Sequence, residues 1–214
     1  MAGRFSLTAS PRAVAAHFDL AGIDDFPPRP RILPTQPILI VLAGSEGRVD
    51  TYRAGRFAQL VRWGLIPGWF RGEEQLPAMF NAKAETAAEN AAFRGAMRHR
   101  RCLVPASAFF RRMDGRDRDG PATTRRLAIA GEPIFAIAGL MEGYMAPDGS
   151  EIDTAAILTA PTSPEDRGLP ERLPVVIARE DFGRWLDCRN FGPGDVGDLL
   201  VAPRTEALEI GAAD

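Results

Sequence analysis

Lysine is almost absent from this chain: of its 26 basic residues only Lys83 is not arginine. Histidine and cysteine are nearly as scarce, with His17, His99, Cys102 and Cys188 making up both sets. No Cys/His spacing suits zinc, and His99 stands among Arg98, Arg100 and Arg101, whose field disfavours a metal. No metal and no cofactor is expected. Without a secretory context the cysteines read as buried free thiols, not a disulfide. No apolar run approaches the roughly 20 residues of a membrane span. The opening MAGRFSLTASPRAV lacks the apolar stretch of a signal peptide, so cytoplasmic residence is expected. There is no G-x-G-x-x-G after a strand, no Walker loop and no G-x-S-x-G elbow. Standard dinucleotide, phosphate-loop and serine-hydrolase sites are therefore excluded.

What is present is an ordinary globular composition, 45% hydrophobic and 25% charged over 214 residues. That length buries a sizeable core, and a single domain over 1–214 with a frayed end is expected. The net charge of −2 does not advertise nucleic acid. Arginine's planar fork suits phosphate and base contacts, although a GC-rich genome also raises arginine everywhere. Local clusters are more telling. Arg98, Arg100 and Arg101 form one; Arg111, Arg112, Arg116, Arg118, Arg125 and Arg126 form another, diluted by Asp114, Asp117 and Asp119. Each reads either as a phosphate track or as a solvated surface.

Along the chain, Ser10 caps a short helix over 10–18 with Pro11 at its first position. The proline-rich stretch Phe26–Pro37 is held extended, since each residue before a proline leaves the helical region. Strands are predicted at 38–42, 48–52, 57–63, 102–104, 127–130, 134–140, 154–159 and 174–177, and the clearest helix at 85–98. Shorter helices follow at 178–186 and 193–200, with a strand in the final segment. Many strands, few helices and no regular alternation predict an α+β fold around a mixed, curled, barrel-like sheet.

One segment resists a purely architectural reading. Trp63-Gly64-Leu65-Ile66-Pro67-Gly68-Trp69-Phe70 sets aromatics around a Pro-Gly loop. Buried tryptophans are common, but exposed paired rings are what stacking on, or wedging between, unpaired bases requires.

Ordered blocks then carry a resemblance. They are Met1-Ala2-Gly3-Arg4-Phe5, Leu33-Pro34-Thr35-Gln36, Arg62–Trp69, Asn81-Ala82-Lys83-Ala84-Glu85-Thr86, Arg101–Ala106, Ile137–Met141 and Arg172–Val176. Together they resemble the SOS-response-associated peptidase (SRAP) family of abasic-site proteins. The resemblance implies binding of single-stranded DNA at abasic sites. There an N-terminal cysteine traps the sugar aldehyde through its amine and thiol, supported by an asparagine, a glutamate and a histidine. It also implies contacts to DNA from Arg4, Trp69, Phe70, Asn81, Lys83 and Arg172.

Matched residue by residue, this sequence departs from that chemistry. Ala2 stands at the nucleophile's position, Arg111 at the glutamate's and Pro170 at the histidine's; only Asn81 is retained. A missing general acid/base costs on the order of 10²–10⁴-fold, and a missing thiol forbids the ring. The expectation is a non-crosslinking binder of single-stranded or abasic DNA, with Arg111 added to its cationic set. Two alternatives stand beside it: Schiff-base lyase chemistry through the Ala2 α-amine, or a scaffold that binds no DNA. Peptidase activity is not expected.

Overall fold

The computed structural model describes residues 3–44, 55–72, 79–113, 123–166 and 168–213. Ala2 and the expected strand at 48–52 lie outside the described residues. In chain order the elements are β1 (Phe5–Leu7), α1 (Pro11–Phe18), β2 (Arg29–Ile32), β3 (Pro37–Ala43), β4 (Arg56–Trp63) and β5 (Asn81–Lys83). Next come α2 (Arg94–His99), β6 (Arg101–Ala106), β7 (Ala108–Met113), β8 (Thr123–Ile129), β9 (Phe135–Met145) and β10 (Glu151–Pro161). The chain ends with β11 (Arg172–Pro174), β12 (Val176–Ile177), α3 (Phe182–Leu186) and β13 (Leu208–Ala212), with short 3₁₀ turns between them.

The strands make two sheets. The larger closes on itself: β10 pairs with β4, β4 with β3, β3 with β6, β6 with β9, and β9 again with β10. This ring is the expected curled sheet, and closure leaves its central strands no free edge. The β4–β10 and β5–β10 pairings are parallel. The second sheet runs β13-β8-β7-β1-β2. Its β2 lies in the proline-rich stretch and pairs antiparallel with β1, so that stretch crosses over within one fold.

Residue chemistry explains the local choices. Ser10 is extended and its hydroxyl accepts from the Ala13 N–H, while Pro11 starts α1 where no donor is needed. Asp19, at φ 55°, ends the helix in the left-handed region. On β9, Gly139 is required by packing: a Cβ there would stand 2.8 Å from the Cys102 sulfur and 3.0 Å from a Val104 methyl.

The expected helix at 85–98 is corrected to α2 alone. Ahead of it the chain makes successive turns, with Glu89 N–H donating to Thr86 O and Phe93 N–H to Asn90 O. The Asn90 side-chain oxygen accepts from the Ala92 N–H at 2.9 Å, the local bonding by which asparagine diverts a chain from helix. Alanine content misled because Ala87 is there to be buried between turns, not to propagate a helix.

Candidate nucleic-acid interface

The C-terminal half of β10 organises the first part of the site. β5 pairs with it on one side (Asn81 opposite Ile157, Lys83 opposite Thr159) and β11 on the other (Pro174 opposite Thr159, Arg172 opposite Pro161). Side chains alternate across a strand, so Asn81, Lys83, Thr159 and Arg172 share one face. Sequence reasoning named three of these four; the fourth, Thr159, carried no motif. Lys83 is exposed and Asn81 half-buried.

Arg172 is held more tightly than a free phosphate ligand. Its two terminal nitrogens donate to the Glu85 carboxylate at 2.7 and 2.5 Å, and Nη2 also donates to Thr159 O at 2.6 Å. The fork thus reaches across β10 and clamps β11 to the turn after β5. The same contact, led by the Arg172 hydrogen bonds, draws the Glu85 pKa below its usual range. Pro170 lies just before β11, where its carbonyl accepts from the Thr162 hydroxyl at 2.9 Å.

The second part of the site arrives with β1. Phe5 meets Trp63 edge to face at 5.1 Å, and Trp63 meets Phe80 at 5.9 Å while its indole donates to Phe80 O at 2.8 Å. This aromatic chain leads from the N-terminal strand to the residue next to Asn81. On the other side of β1, Phe5 pairs with Phe109 and the Phe110 N–H donates to Arg4 O at 2.9 Å. Continuing that register sets Arg111 beside Gly3. Arg111 shares a face of β7 with fully buried Phe109, which turns it toward the space between the sheets. Burial lowers its pKa, although a guanidinium stays charged at any ordinary pH. Arg111 thus lies beside the N-terminal strand, and the Phe5–Trp63–Phe80 contacts link that strand to the residue before Asn81. Ala2 itself lies outside the described residues.

Arg4 takes the opposite side. Its guanidinium carbon stands 3.9 Å over the Phe110 ring, on the face away from Phe5 and Phe109. The aromatic pair in the loop also divides. Trp69 is 55% exposed, and its indole N–H donates to Ala91 O at 3.3 Å. Phe70 is half-buried and tilts against Tyr144 at 6.0 Å. Trp63 is fully buried core.

Two arginines of the cluster at 98–101 are engaged in structural contacts. Arg101 is buried and donates to the main-chain oxygens of Trp185, Met97, Asp187 and Phe191. Arg100 is paired with Glu142 at 2.5 Å. Neither sequence spacing nor residue type separates such structural arginines from surface ones. Thr35 was also missed: it sits at φ 73°, rare for a β-branched residue, with its N–H donating to Trp63 O at 2.7 Å. The Thr35-Gln36 block thereby fixes the strand end that carries Trp63. Both cysteines are free, Cys102 buried and Cys188 half-buried. Among the described residues no group of His, Cys, Asp and Glu could hold a metal, and no helix is long and apolar enough to cross a membrane.

Comparison with known proteins agrees with this fold. A family model described as SOS response associated peptidase (SRAP) matches residues 1–213. The abasic site processing protein YoaM of Bacillus subtilis is 29% identical over 215 residues, covering 98% of this chain and 89% of that protein. HMCES of Xenopus tropicalis, also named as an abasic site processing protein, is 24% identical over 77% of this chain and 53% of its own length. Among solved structures, a protein from Bordetella bronchiseptica superposes with a TM-score of 0.78 at 24% identity, covering 100% of both chains. One from Bacteroides thetaiotaomicron gives 0.76 at 22%, covering 97% of this chain and 90% of that one.

Proposed function

Because the chain belongs to the SOS response associated peptidase (SRAP) family, we propose that it handles abasic sites as a non-crosslinking binder of single-stranded or abasic DNA, acting in the cytoplasm. The observation that carries this reading is the β1–β7 register, which sets Arg111 beside the N-terminal strand. A fixed cation therefore stands where the resemblance calls for a proton-transferring carboxylate. A guanidinium cannot act as general base at neutral pH, and alanine offers no thiol. What remains suits holding a phosphodiester strand: Lys83 and Arg111 for phosphate, and Trp69 free to stack on a base. Arg172 supports the reading indirectly, by fixing the sheet end that presents Lys83.

The test is a fluorescence-anisotropy titration with single-stranded oligonucleotides, intact and carrying one abasic site, over a range of salt. Binding that weakens log-linearly with salt, leaving no complex that survives denaturing gel electrophoresis, is the expected outcome. Salt-insensitive or absent binding removes the reading. A denaturation-resistant adduct instead shows that chemistry survives at the N-terminus.

A further inference from the structure

Resting on the DNA-binding reading, we propose that Arg111 and Arg125 form a subsite for a phosphate monoester, the phosphorylated end of a DNA single strand.

The β7–β8 ladder sets Arg111 directly opposite Arg125. Residues so placed have Cβ atoms roughly 4.5–5.5 Å apart, and like charges in that position destabilise a sheet. Elsewhere among the described residues, closely held arginines are relieved by acids (Arg56 by Asp19, Arg100 by Glu142, Arg172 by Glu85, Arg184 by Asp198) or, for Arg101, by main-chain oxygens. Among the described residues no carboxylate comes within ion-pair distance of either Arg111 or Arg125. The Arg111 Nε is moreover buried, with no hydrogen-bond partner among the described residues. A donor on a charged group left in that state is costly, and a bound acceptor removes the cost.

The two guanidiniums differ in a useful way. Arg111 is half-buried on the face of β7 that carries Phe109, and Arg125 is exposed on the same face of the adjacent strand. One stays fixed while the other is free to close over an anion. A phosphodiester carries one negative charge, whereas a phosphate monoester carries about −1.5 to −2 at pH 7 with three acceptor oxygens. Two forks meeting on one face match the monoester in charge and in donor number. In a DNA strand a monoester exists only at an end.

The experiment uses the full chain and one oligonucleotide sequence in three forms: 5′-phosphorylated, 3′-phosphorylated, and hydroxyl at both ends. One phosphorylated form is expected to bind about tenfold tighter than the hydroxyl form, the worth of one well-formed charge-assisted contact. Inorganic phosphate should compete away that gain. Arg125→Gln, a change at an exposed position, should erase the gain and leave the hydroxyl form's affinity as it was. Arg111→Gln should erase it too, and far-UV circular dichroism checks that both variants fold. Equal affinity for all three forms overturns the subsite while the DNA reading stands, as does a gain that persists in Arg125→Gln. If no form binds, yet inorganic phosphate raises the melting temperature in an Arg125-dependent way, the subsite stands and the DNA reading falls. If neither is seen, both fall.

Discussion

Arg101 is 1% exposed, and its guanidinium meets no carboxylate among the described residues; it meets main-chain oxygens at the ends of α2 and α3. Helix C-termini present unsatisfied carbonyls and a partial negative charge, so a buried cation is stable there without a counter-ion. A lysine would keep the charge but not the fork. Arg101→Lys is therefore expected to destabilise the fold by about 2–4 kcal/mol, since bonds to charged groups are worth roughly 1.5–3 kcal/mol each; chemical denaturation measures it. His17 supplies a second residue-scale prediction. Burial, the largest cause, lowers its pKa below the ordinary 6.5. The folded state then binds fewer protons than the unfolded state between the two pKa values, so stability falls as pH drops through that window. Melting temperatures at pH 7.5 and 5.5 should differ more in the native chain than in His17→Gln; equal differences would remove His17 from the account. Neither role was legible in the sequence. Arg101 looked like part of a basic run and His17 like a plain helix residue, because burial is decided by partners far along the chain.

At the scale of elements, the strands were legible where both faces are apolar, as in β3, β6, β9 and β10. They were not legible where three residues suffice, as in β1, β5 and β11. These short strands carry the site, and their pairing depends on β7 and β10 rather than on any periodicity of their own. The family blocks marked them instead: Asn81–Lys83 and Arg172–Pro174 each sit inside one. Gly139 shows what such a block encodes. Its Cβ has no room between Cys102 and Val104, and Gly139→Ala should cost about 1–3 kcal/mol through overpacking, read as a lower denaturation midpoint. The clamp between β11 and the turn after β5 is read instead by its dependence on pH. The Glu85 pKa is lowered by Arg172, so the clamp's contribution is present above the ordinary carboxylate range and lost as pH falls through the lowered value. Glu85→Gln should remove part of the acid sensitivity and leave the melting temperature near pH 7 modestly reduced, as expected for a partly exposed pair.

For the whole molecule, charge is balanced in total and uneven in place. The net charge of −2 hides cations such as Arg111 that, among the described residues, have no ion pair of the kind that holds Arg56 and Arg172. On the proposed reading, what separates this chain from the thiol–amine trap that the resemblance implies is a set of side chains, not an architecture. The position of Pro170 belongs to the same set, since it lies just before β11, which pairs with the same end of β10 as the strand carrying Asn81. Restoring the chemistry should accordingly be possible and non-additive, because groups that act as a unit contribute only together. Ala2→Cys alone, with Met1 removed, should form little stable adduct with abasic DNA: the nucleophile returns beside a cation where a carboxylate must move a proton. Adding Arg111→Glu and Pro170→His should raise adduct yield on denaturing gels by on the order of 10²-fold, the usual worth of a general acid/base. A single variant that crosslinks as well as the triple one would show that Arg111 and Pro170 are bystanders and that the lost thiol alone silenced the site.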